Sequence, residues 1–106
     1  MNEAGANVLY EAERKGVKQI RGAFGEAGGR CAVGVLVEAA GIDAERLDCY
    51  VPLPQFGFPN TNIKLGLTCP LCGTPVIHEF GAVVHLNDDH RLTFSEIARK
   101  LGPDAA

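Results

Sequence analysis

The chain has 106 residues, a formal charge of −3 and a pI near 5.5, with 46% hydrophobic and 22% charged residues. That length allows one domain with a modest core, and the acidic balance excludes strong non-specific attraction to a phosphate backbone. No N-terminal apolar leader and no run of about 18 apolar residues occurs, so the expectation is a cytoplasmic protein with no membrane span.

Residues 2–15 are predicted as a first helix, with Gly16 as the stop after Arg14 and Lys15. Its apolar stripe is thin (Val8, Leu9, Ala12 and Ala4), which places it on the surface of the domain. Val17–Phe24 fits neither helical nor strand period and is expected to be extended or a short strand. Glu26-Ala27-Gly28-Gly29 is a turn, with Gly-Gly supplying the positive φ. Arg14, Lys15, Lys18, Arg21 and Arg30 face only Glu26 in this part of the chain, so residues 14–30 are a candidate basic surface.

The most apolar run is Cys31–Ala40. Its length, its three Ala and Gly41 behind it favour a helix over a buried strand. Val33, Leu36, Val37 and Ala40 would share the buried face, and Gly34 would sit where another backbone comes close. Asp43 is placed to cap a short helix over 44–48. Residues 49–68 hold Pro52, Pro54, Pro59, Gly57 and Gly66, and read as a long irregular loop. Phe56 and Phe58 either pin that loop to the core or face a partner.

Cys69-Pro70-Leu71-Cys72-Gly73 comes next, with His85 and His90 beyond it, giving C-x2-C-x12-H-x4-H. Zinc takes four N or S ligands in a tetrahedron at ~2.0–2.3 Å, and this spacing is that of a two-Cys, two-His finger. Cys69, Cys72, His85 and His90 are therefore the candidate ligands, with thiolates and neutral imidazoles bringing a bound Zn²⁺ to zero net charge. Gly73 would let the chain leave the turn with positive φ. His78 is the rival third ligand, and a metal-free C-x2-C turn or redox pair is the alternative to any metal. Cys31 and Cys49 have no partner at ligand spacing, so a four-cysteine site lacks its second pair.

Thr74–Phe80 is expected as the returning strand of the zinc hairpin and Ala82–Asp88 as a helix. Thr93-Phe94-Ser95-Glu96 is a capping box that opens a last helix with Phe94, Ile97, Ala98 and Leu101 buried and Gly102-Pro103 as its stop. That helix resembles the first half of a helix-turn-helix, but no recognition helix follows it. The helix around His85 carries apolar and acidic residues where a DNA reader carries basic and polar ones.

Gly29–Leu36, Val84–Arg91 and Thr93–Leu101 together resemble a family of small uncharacterised bacterial and phage proteins. Its members share a CALG-type run and a VVHLNDxHxWTxxxIAxWL-type tail, some with a CPxCG insertion; Leu92 departs from the pattern. The resemblance implies that the HLND stretch packs with the final helix as one unit, and it implies a phage or mobile-element origin.

These readings combine into one α+β, mainly helical domain over 1–106. Residues 1–48 form a helical part, 49–68 the loop, and 69–102 a zinc-stapled hairpin leading into a C-terminal helix pair. The expected function is non-enzymatic: a structural zinc protein acting through protein contacts, such as a modulator of a host system. Its contact candidates are the 50–66 loop and the 14–30 stretch. The alternative is a nucleic-acid-binding regulator. A catalytic zinc would need an open ligand position with Asp88 or Asp89 as base.

Overall fold

Among the described residues, each α-helix starts at a side chain that accepts a hydrogen bond from a backbone N–H of the first turn. An uncapped start leaves those donors without partners, and losing a cap costs about 1 kcal/mol. The computed structural model describes residues 1–103; the last three residues of the expected 1–106 domain lie outside the described residues. Helix α1 (Glu3–Arg14) is capped by Asn2, whose Oδ1 accepts from Gly5 N at 3.0 Å. Helix α2 (Ala32–Ala39) is capped by the Cys31 sulfur, 3.3 Å from Gly34 N. Helix α3 (Glu79–Asp88) is capped by His78, whose Nδ1 accepts from Gly81 N at 2.9 Å. Helix α4 (Phe94–Leu101) has the full capping box, with Thr93 Oγ1 accepting from Glu96 N and Glu96 Oε1 accepting from Thr93 N.

Between α1 and α2 lies a two-residue-per-strand antiparallel hairpin, β1 (Gly25–Glu26) and β2 (Gly29–Arg30). The turn falls where the sequence places it, but Ala27 (φ 49°) and Gly28 (φ 81°) carry the positive φ. Gly29 serves a different need, since a Cβ there would come within 2.4 Å of Ile20 Cγ2. Residues 17–20 are extended and contribute one parallel bridge, Gln19 to Arg30, whereas 21–24 bend, with Gly22 at φ 81°. Gly34 is where a backbone approaches: an added Cβ would lie 1.8 Å from Phe24 O, the carbonyl that also accepts from Cys31 N. Gly41 ends α2 at φ 87°.

Helix α1 packs against α4, α2 and a short 3-10 turn at Pro54–Phe56. Leu9, Leu36, Phe94 and Ile97 are fully buried, each contributing ~1.5–3 kcal/mol of apolar burial. This corrects the expectation of a surface helix. The buried stripe of α1 is Gly5, Ala6, Leu9 and Ala12, with Ala4 exposed and Val8 half-buried. Small residues hide such a stripe in the sequence, yet they let α4 approach closely. Asp43 caps only a turn over 44–46 and no helix forms at 44–48, because Glu45 N and Arg46 N both turn back onto Asp43. Phe56 and Phe58 pin the loop: both are buried, and Phe58 stacks on Phe80 at 4.5 Å.

A polar knot ties three segments together in this apolar interior. Asn87 is 0% exposed, yet every polar atom of its side chain has a partner. Its Oδ1 accepts from Ala32 N (3.0 Å) and Gln19 Nε2 (2.8 Å). Its Nδ2 donates to Ile20 O (2.9 Å) and to Asp88 Oδ1 (2.8 Å). Gln19 Nε2 also reaches Leu92 O at 2.7 Å, so the chain before β1, the start of α2 and the α3–α4 junction meet at one amide. Among the described residues, no helix is long and apolar enough to cross a membrane.

Candidate metal centre

The turn Cys69–Gly73 is built by its own backbone. Gly73 N donates to Cys69 O at 2.9 Å, Cys69 N donates to Thr74 O at 2.8 Å, and Gly73 adopts φ 74° as its position in the turn requires. Leu71 N points at Cys69 Sγ, 3.4 Å away, so a backbone dipole faces the sulfur. Thr68 and Pro75 form an isolated antiparallel bridge below the turn. The expected strand over Thr74–Phe80 does not form. Pro75 brings no N–H to a ladder, and α3 already begins at Glu79.

Helix α3 presents His85, and the chain turning towards α4 presents His90. Arg91 reverses the chain in the left-handed region at φ 56°, and Leu92 N closes the turn on Leu86 O. The ligand atoms of Cys69, Cys72, His85 and His90 all lie within 4.8 Å of one another. Cys69 Sγ is 3.5 Å from His90 Nε2, and Cys72 Sγ is 3.3 Å from His85 Nε2. A tetrahedron with bonds of ~2.0–2.3 Å has edges of roughly 3.3–3.8 Å, so both pairs are at the spacing a metal of this coordination needs. The four residues that the sequence places together are thus brought together and can hold a metal ion.

His78 is not among them. It is buried at the start of α3, its Nδ1 is occupied by the cap to Gly81, and its ring packs edge-on against Tyr50 at 4.8 Å. Cys31 caps α2, and burial pushes its thiol pKa up. Cys49 is exposed and, like the other three cysteines, free of any disulfide.

Two residues beside the ligands carry roles that the sequence leaves unassigned. Asp89 Oδ2 lies 2.7 Å from His85 Nδ1, four residues along the chain. A carboxylate on Nδ1–H fixes the tautomer that leaves Nε2 free to ligate and raises its basicity. The i, i+4 spacing of His85 and Asp89 was the available signal. Thr74 Oγ1 lies 3.0 Å from Cys72 Sγ. Its hydroxyl, then His85, hold the Cys72 thiol down to a pKa of about 5. Cys72 in turn raises the pKa of His85, burial opposes the rise, and Asp89 adds to it. The site therefore favours a deprotonated sulfur without any metal charge.

Exposure across the site is uneven. Cys69 is 3% exposed and belongs to the core cluster, the two histidines are half-buried, and Cys72 is open to solvent. Comparison with protein-family models, curated proteins and solved structures finds no match to the chain. The reading of this centre rests on its own geometry.

Proposed function

We propose that the chain is a non-enzymatic protein with a structural zinc ion, acting through contacts with another protein. The observation that carries the zinc reading is the meeting of Cys69, Cys72, His85 and His90 atoms within 4.8 Å, with His85 oriented by Asp89. Two thiolates and two imidazoles are a zinc donor set, and four protein ligands leave no position for the water that catalysis needs.

The protein-contact reading is supported by the surface around the site. Ile63, Leu65, Leu71 and Ile77, at 72%, 93%, 42% and 64% exposure, are the exposed large hydrophobics, and all lie on the hairpin that carries the two cysteines. Apolar side chains clustered on one segment mark contact surfaces. The 14–30 stretch offers less to a phosphate backbone. Arg14 and Lys15 pair with Glu11, and Arg30 pairs with Glu38 and Glu45.

Metal analysis of the purified protein tests the reading directly. One zinc per chain is expected, lost in Cys72→Ser and His90→Ala. A protein that holds no zinc and melts at the same temperature with and without chelator would overturn it. Binding to DNA or RNA that weakens steeply with salt would replace the protein partner with a nucleic acid.

A further inference from the structure

We propose that the metal staple is released by oxidation, with Cys72 as the thiolate that meets a hydroperoxide and Cys69 as the thiol that resolves it into a disulfide. The inference rests on the zinc reading above and deepens it into a means of regulation.

The asymmetry of the four ligands is the starting point. A hydroperoxide must reach sulfur along a line, so exposure decides which ligand reacts. Cys72 is exposed at the tip of the turn, whereas Cys69 is 3% exposed and part of the core cluster. A sulfenic acid on Cys72 then needs a second sulfur close by. Cys69 Sγ is within 4.8 Å of it, and only Pro70 and Leu71 separate the two residues in the chain. The other two cysteines are placed differently. Cys31 is buried as the α2 cap, and Cys49 is exposed but outside the cluster.

The chemistry balances with one hydroperoxide. The Cys72 thiolate attacks the distal oxygen, the O–O bond breaks, and the oxygen leaving as hydroxide or alkoxide takes up a proton. The Cys69 thiolate then attacks the Cys72 sulfur, the S–S bond forms, and the sulfenic oxygen leaves as hydroxide, which takes up a proton from solvent to give water. Two thiolates lose two electrons in total, and the peroxide gains them. A disulfide sulfur is not a zinc ligand, so a bound ion would be left with only His85 and His90 to hold it and would be released. The turn is tied to α3 and to the chain after it through Cys72–His85 and Cys69–His90, so both ties are lost together. The hairpin with Ile63, Leu65, Leu71 and Ile77 is then free to move relative to the helices. A dithiol reductant restores both thiolates and the site.

The test uses the full chain loaded with zinc, carrying Cys49→Ser so that this exposed thiol does not consume oxidant. Hydrogen peroxide is titrated while a chromogenic chelator reads free zinc, and peptide mass analysis reads the cysteines. The expected result is one zinc released per disulfide between Cys69 and Cys72, with dithiothreitol allowing the protein to take zinc up again. Zinc retained at a peroxide excess that oxidises a free thiol would overturn the proposal. So would zinc release with Cys72 carried to sulfinic acid and no Cys69–Cys72 disulfide. A preparation that binds no zinc before peroxide is added overturns the zinc reading as well, which separates the two failures.

Discussion

The α1–α4 packing and the Ile63–Ile77 hairpin are held by different physics. Between α1 and α4, Ala6, Leu9, Ala12, Phe94, Ile97 and Ala98 are all buried, and apolar burial dominates the contact, with an exposed hydrogen bond from Ser95 N to Glu13 Oε1 beside it. In the fifteen residues Ile63–Ile77 the one buried residue is Cys69. That segment keeps its shape through backbone bonds such as Lys64 N to Ile77 O at 2.8 Å and Val76 N to Leu67 O at 3.0 Å. An isolated hairpin of this kind is marginal in water. It buries little apolar surface, so a metal ion held at its tip would supply what the core supplies elsewhere.

The strongest way to break the comparison is to take the metal away. Chelation should lower the amide protection of Lys64 and Val76 far more than that of Leu9 and Ile97, as read by hydrogen exchange. Metal binding in small two-Cys, two-His units contributes ~10–16 kcal/mol of apparent folding free energy, so the fall should be large for the hairpin, while the tight turn at Cys69–Gly73 keeps its own backbone bond from Gly73 N to Cys69 O. Equal loss of protection in both regions would show that they form one cooperative unit and that the division is wrong.

Asn87→Ala should have the next largest effect, and on the other side of the division. It leaves Ala32 N without its acceptor and Ile20 O without its donor inside the fold. Each buried polar group so stranded costs about 1–3 kcal/mol, giving a loss of roughly 2–6 kcal/mol in a denaturant melt. Zinc content should remain at one per chain. A variant as stable as the parent would show that the knot is dispensable.

How much of this was legible in the sequence follows the same division. The grouping of Cys69, Cys72, His85 and His90 could be read because coordination geometry imposes spacing, and spacing survives in one dimension. The capping box at Thr93 and the stop at Gly41 could be read for the same reason: each is a local hydrogen-bond or φ requirement. The burial of α1 could not, because its stripe of Gly5, Ala6 and Ala12 is small rather than apolar and gains its meaning only from α4. The Asn87 knot joins residues 55 to 68 positions apart and leaves no local pattern. The strand expected at Thr74–Phe80 failed because Pro75 brings no N–H to a ladder and His78 already caps α3.

His78→Ala sharpens that last point at a smaller scale. Losing the cap to Gly81 N and the packing on Tyr50 should cost about 1–2 kcal/mol, in the range of N-cap removals. Zinc affinity measured by chelator competition should be unchanged. A tenfold or greater loss of affinity would return His78 to the ligand set.

The smallest effect concerns the hairpin tip with the metal removed. With Thr74 and His85 beside it, the Cys72 thiol sits at about 5, below an ordinary thiol near ~8.5. A depressed folded-state pKa contributes stability that is fully present above the ordinary value and is lost as pH falls towards about 5. His85 runs the other way: its raised pKa contributes stability below the ordinary histidine value and loses it as pH rises through the raised one. The thiolate–imidazolium pair is therefore strongest between those limits. Because the pair is open to solvent, the gain in melting temperature should be slight, and reactivity is the better readout. Alkylation of Cys72 by iodoacetamide in metal-free protein should proceed at pH 6 nearly as fast as at pH 8, while buried Cys31 stays unmodified. Thr74→Val removes the hydroxyl that contributes most to the lowered value, and should move the alkylation profile towards that of an ordinary thiol. A wild-type rate that falls about tenfold for each pH unit below 8 would mean that the tip is not ordered without its metal, and would leave coordination as the sole source of its structure.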